Sequence, residues 1–156
     1  MRVAYWLMKS EPEEFSIDAL KKVKREPWTG VRNYQARNFM WQQMQPGDGV
    51  LFYHSNCPVP GVVGLAEVMG EPLPDPTQFD PLSDYFDSKS DPDKPRWWMR
   101  HVGFKRKFKQ VVSLDRLRGE AGALGEFALL NRGNRLSILP VSEAQWTHVL
   151  SLAEDS

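Results

Sequence analysis

Two groups of residues in this chain are of types that do chemistry. The first is Lys9, Ser10 and Glu11, where a hydroxyl stands between an ammonium and a carboxylate. With His54 as a distant base, that set describes a small enzyme acting on a nucleotide-like or acyl substrate. Against it, His54 and Ser55 are neighbours, so on a strand they point to opposite faces. There is also no Gly-rich phosphate loop, no GxSxG and no HExxH. The second group is "PWTGVRNYQARNFM", Pro27 to Met40, where Trp28, Arg32, Asn33 and Tyr34 fall within seven residues. Rings that stack, beside side chains that read hydrogen-bonding edges, suit recognition of a flat ligand.

The elements that must position these residues are legible from periodicity and capping. "VAYWLM" reads as a buried strand. Ser16 is an N-cap for a helix from about Ile17 to Val23, with Asp18 in its first turn and Phe15 and Leu20 as a hydrophobic staple. Pro27 and Gly30 bracket an extended or turning segment. Asn33 caps a helix from Tyr34 to about Met44, with Ala36, Phe39, Met40 and Met44 on its apolar face. "VLFYHS" and "GVVGLAEV" read as an antiparallel pair joined by a short loop. Residues 69–96, rich in proline and aspartate, read as a long loop inside a single domain spanning 1–156. "RWWMRHVGFKRKFKQVV" reads as a long basic strand bent at Gly103, in which Trp97 and Trp98 cannot both point inward. Two short helices and a strand in "NRLSIL" follow. Ser142 and Gln145 form a capping box for a last helix that buries Trp146, Val149, Leu150 and Ala153. Strands mixed irregularly with short helices predict an α+β fold, a small mixed or antiparallel barrel flanked by helices.

Composition narrows the function. The 156 residues carry 20 basic and 20 acidic side chains. A sequence-blind coat for nucleic acid should be strongly basic, so that class is excluded, whereas a pocket for one unit of a polymer is not. Cys57 is the sole cysteine, and the three histidines lack metal-ligand spacing. No disulfide, metal or cofactor is expected. No apolar run reaches the ~20 residues of a membrane span, and acids follow the start too closely for a secretory signal. A cytoplasmic monomer is the expectation.

In order along the chain, "YWLMKSEPEEFSIDAL", "W-GVRNYQARNFM", "PGDGVLFYHSN", "GVVGLAEV", "DPTQFDPLSDYFD" and "NRLSILPVS" resemble the signature blocks of the EVE domain family. The resemblance covers essentially the whole chain, in a compact bacterial form without the basic N-terminal extension of nuclear members. It implies a PUA-like barrel related to the YTH domain, which captures a methylated base in an aromatic cage. The partner so implied is nucleic acid carrying a modified base, DNA or RNA, with DNA favoured. "PWTG" matches the position of a first cage tryptophan, so Trp28 is implied as one wall and Trp97 or Trp98 as the second.

The energetics of such a cage are consistent. A caged base must leave its stack, at a cost of a few kcal/mol, and stacking on an aromatic returns ~1–3 kcal/mol. An added methyl contributes only ~0.8 kcal/mol. Selectivity therefore needs a polar group left unpartnered by the wrong base, worth ~1–3 kcal/mol. Asn33, Tyr53, Ser55 and Asn56 are the types expected at the base edge, with Ser10 and Lys9 at the rim. Arg32 and Arg37 are expected on phosphates, joined by Arg100 and Lys105 from the basic strand.

Overall fold

The computed structural model describes residues 3–154. Strands β1 (Tyr5–Ser10), β2 (Arg25–Trp28), β3 (Gly49–His54), β4 (Gly61–Pro74), β5 (Trp98–Ser113) and β6 (Ile138–Val141) form one sheet in the order β2-β5-β4-β3-β1-β6. β1 runs parallel to β3, and every other pairing is antiparallel. The helices are α1 (Ile17–Val23), α2 (Tyr34–Asn38), α3 (Leu114–Gly119), α4 (Ala121–Leu124) and α5 (Glu143–Glu154).

The architecture is α+β as expected, but the sheet is not closed into a barrel. Its edges, β2 and β6, are four residues each and do not pair with one another. A small barrel buries one face of its sheet around a single core. Here both faces are buried. Strand alternation sends Trp6, Met8, Val50 and Phe52 into one cluster, covered by Ile17 and Leu20 of α1 and by Ala36, Phe39 and Met40. Leu7, Leu51, Tyr53 and Leu139 enter the opposite cluster, covered by Leu117, Leu124, Val149 and Leu152.

The caps read from the sequence are present. Ser16 accepts from the Ala19 amide at 3.1 Å and Asn33 from the Ala36 amide at 3.0 Å. Ser142 and Gln145 close their box reciprocally, at 2.9 and 3.1 Å. α2 is shorter than expected because the chain widens into a π-helical turn over Phe39–Gln43, closed by the Met44 amide on the Phe39 carbonyl at 2.8 Å. The Arg100 guanidinium crosses from β5 to donate to the Met40 and Met44 carbonyls, at 3.1 and 2.9 Å. It thereby satisfies groups that a helix C-terminus leaves open. In α5 the buried set is Gln145, Val149, Leu152 and Ala153, with Trp146 and Leu150 only partly covered.

The segment 69–96, expected as a long loop, is more regular than that. β4 continues through Pro74, and a 3-10 turn spans Pro76–Phe79. Two fully buried polar side chains, Asp75 and Gln78, organise the rest. Gln78 donates to the Asp75 and Trp97 carbonyls and accepts from the Trp97 amide and the Ser90 hydroxyl.

Candidate functional site

Because β1 and β3 are parallel, Lys9 and Ser10 at the end of one lie beside His54 and Ser55 at the end of the other. β6 is antiparallel to β1, so the residues entering it come to the same end, and the Lys9 amide donates to the Ser137 carbonyl at 2.8 Å. β2 brings Trp28 across from the sheet edge. A cleft of about 460 Å³ opens where these ends meet, lined among others by Ser10, Glu26, Trp28, Ser55, Tyr85 and Arg135. Trp28, 8% exposed, forms part of its floor and packs edge-on against Phe52 and Phe15, with centroids 5.6 and 6.4 Å away. That mutual edge-to-face arrangement fixes the indole plane.

The far wall comes from the proline-rich segment. The Tyr85 ring lies over Gly30 so closely that a Cβ there would fall 2.8 Å from it, and Gly30 has φ +82°. Asp75 locks this contact. One carboxylate oxygen accepts from the Gly30 amide at 2.8 Å and from Arg32 at 3.1 Å, and the other from the Thr77 amide and hydroxyl at 2.8 and 2.6 Å. Arg32 also donates twice to the Tyr85 carbonyl, at 3.2 and 2.8 Å.

Behind the cleft the aromatic residues form a continuous ladder. Arg32 lies over Tyr85 and Trp97, Trp97 stacks on Tyr34 at 4.8 Å, Arg37 covers Tyr34 and Trp41, and Trp41 stacks on Trp98 at 4.9 Å. The cluster of rings and cations at 28–41 thus does two things. Trp28 faces the cleft, and the rest clamps the segment that carries Tyr85.

Of the residues expected at a base-binding site, Lys9, Ser10, Trp28, Ser55 and Arg32 meet at the cleft. The others do not line it. Trp97 is buried, its indole N–H donating to Asp87 at 2.8 Å, and Trp98 is spent on Trp41. The second-wall expectation for either is corrected, since both are rungs of the ladder. Asn33 is committed to its cap and Asn56 donates to Glu11 at 2.9 Å. Tyr53 is buried in the opposite core cluster, with the Lys9 ammonium 5.8 Å from its ring. Among the cations expected on phosphates, Arg100 is 1% exposed and held by carbonyls, so no phosphate reaches it. Arg37 donates to the Arg96 carbonyl and to Asn38. Lys105 pairs with Glu67 on the β5 surface away from the cleft.

Sequence reasoning missed Glu26, Tyr85 and Arg135. Glu26 had a signal, since it stands two residues before Trp28 in an extended run and so shares its face. Arg135 precedes the β6 sequence, and only the sheet order brings it to the cleft. Burial shifts two charged groups here toward neutrality: the Lys9 ammonium is lowered and the Glu26 carboxyl raised.

The catalytic alternative is not assembled. The Ser10 hydroxyl donates to the Phe15 carbonyl at 2.6 Å. The His54 Nε2 lone pair accepts the Ile17 amide at 3.1 Å, at the start of α1. Burial lowers the imidazole below its ordinary value of 6.5, opposed by Asp18 and assisted by Lys107. The unfolded chain therefore binds this proton more readily. Stability is fully present above about pH 6.5 and is lost as pH falls from there through the lower folded value. His54→Gln, whose amide oxygen can accept the same bond, is expected to flatten this part of the profile. Denaturant midpoints of both proteins across the window check it, their difference separating His54 from His101, which burial also lowers.

Among the described residues, no group of three or more His, Cys, Asp and Glu is placed to hold a metal ion. No helix among them is long and apolar enough to cross a membrane.

The EVE domain pattern matches residues 4–152. This chain belongs to the EVE domain family. Human thymocyte nuclear protein 1 is 40% identical over 169 residues, covering 97% of this chain and 74% of that protein. The EVE fold described above superposes on a crystal structure of human THYN1 in complex with DNA containing 5-methylcytosine, with TM-score 0.92, 39% identity and coverage of 98% and 99% of the two chains. A Leishmania major structure matches with TM-score 0.93 and 45% identity, covering 99% of this chain and 96% of the other.

Proposed function

We propose that this EVE domain is a non-catalytic reader of DNA, which receives one modified base, a methylated cytosine, in the cleft beside Trp28. The observation that carries the reading is the cleft itself: a space of about 460 Å³ lined by the aromatic side chains Phe15, Trp28 and Tyr85 together with polar and charged groups. That size and lining suit a single flat heterocycle. The relation to human THYN1, whose structure holds DNA containing 5-methylcytosine, supports the class of ligand. A base seated here must leave the helix stack, so one ring is exchanged for another as stacking partner. Zero net charge then makes sense, because affinity comes from one base and a few phosphate contacts rather than from a broad basic face.

Arg135 is the cation we assign to the phosphates flanking that base. It is exposed at the cleft rim and has no hydrogen-bond, ion-pair or ring partner among the described residues. Equilibrium titration with oligonucleotides that differ by one cytosine methyl group tests both statements. Tighter binding of the methylated strand is expected, by about fourfold or more. Arg135→Ala should weaken both strands equally and reduce the salt dependence by about one counterion. Equal affinity for the two strands contradicts the reader assignment.

A further inference from the structure

A reader of methylated cytosine has one difficult competitor. Thymine carries the same ring methyl, has nearly the same shape and is abundant in DNA. Stacking on Trp28 and burial of the methyl favour both bases equally. The two differ at neighbouring positions of one edge: cytosine presents an amino donor beside an unprotonated ring nitrogen, and thymine a carbonyl acceptor beside a ring N–H. An acceptor in the cleft, aimed at the amino position, separates them.

We infer that Glu26 is this acceptor, and that it makes the cleft selective for bases with an amino group on the inserted edge. The inference rests on the proposed reading of the cleft and adds the residue that sets its specificity. Three carboxylates line the cleft. Glu11 accepts from Asn56, and Glu14 is exposed. Glu26 is half-buried and has no hydrogen-bond or ion-pair partner for its side chain among the described residues. On β2 it precedes Trp28 by two residues, so the carboxylate and the stacking ring leave the strand on the same face. Its register partner Val102 and that of Trp28, Arg100, hold this strand at the sheet edge. Burial already disfavours its charge, which an amino N–H from the ligand would restore. A carbonyl in the same place would meet a carboxylate with no donor between them. Rejection of an analogue that leaves a buried polar group unpaired is the strong form of discrimination, whereas apolar pockets reject weakly.

The test uses single strands, so that no complementary base competes, identical except for one central position: methylated cytosine, cytosine or thymine. For the unaltered chain, binding of methylated cytosine about tenfold or more above thymine is expected. Glu26→Gln, whose amide rotates to donate or accept, should bring that ratio close to one while the thermal midpoint stays unchanged. A ratio near one in the unaltered chain, or an unchanged ratio in Glu26→Gln, overturns the inference. The cytosine strand separates the two levels of the proposal. If methylated cytosine and cytosine bind alike, the reader assignment has failed. If methylation is still read but thymine rejection survives Glu26→Gln, only the role of Glu26 has failed.

Discussion

Asp75→Ala is expected to cost about 2–3 kcal/mol of folding stability, the scale for breaking a buried hydrogen-bond network. The aspartate is fully buried and accepts four hydrogen bonds, one from the Gly30 backbone, one from Arg32 and two from Thr77. Its removal leaves the Gly30 amide without an acceptor and Arg32 without its ion pair. Asp75→Asn keeps the volume but turns one acceptor into a donor that faces Arg32 and Gly30, so it should recover little. The consequence for function follows from geometry. Tyr85 is held over Gly30 by Arg32, and Arg32 is held by Asp75. The variant that still folds should therefore bind DNA weakly although no mutated atom lines the cleft. Chemical denaturation measures the first effect and titration with methylated DNA the second.

Trp28 carries the other large effect. Trp28→Ala removes a ring packed against Phe15 and Phe52, and about 3–5 kcal/mol of stability is expected to go with it. Trp28→Leu fills more of the space and separates packing from stacking. It should keep the fold and still lose the ~1–3 kcal/mol that stacking contributes per base, roughly five- to 150-fold in affinity. Circular dichroism and anisotropy titration on the same sample read the two quantities. Loss of affinity in Trp28→Leu without loss of ellipticity is the expected pattern.

Local features of this chain could be read from sequence, and features set by distant partners could not. Ser16, Asn33 and the Ser142–Gln145 box act within one helical turn, and each caps the helix assigned to it. The cluster at 28–34 reads locally as suited to a flat ligand, and its Trp28 does reach a cleft. Trp97 and Trp98 were placed at the same site, but Tyr34, Arg37 and Trp41, some sixty residues away in sequence, decide where they go. Its basic neighbours make Arg100 read as a phosphate-contacting cation of the β5 run. Strand alternation carried the correcting signal, since Arg100 lies on the face of Val102 and Phe104, which pack into the core. Barrel closure depends on pairing between the first and last strands in space, and nothing in a four-residue strand announces whether it has a partner on both sides. Asp75 looks like any other aspartate of an acidic, proline-rich stretch. Only the fold shows that it is sealed beneath Arg32 and tied to Gly30.

The cleft beside Trp28, not the basic surface of β5, is the proposed seat of the modified base. Titration of the isotope-labelled chain with DNA carrying one methylated cytosine, followed by amide and indole resonances, addresses it directly. The Trp28 indole, Gly30 and Ser10 signals are expected to move with the methylated strand and much less with the unmodified one. Shifts confined to Lys105, Arg106, Lys107 and Lys109, with the cleft signals unmoved, would contradict that placement.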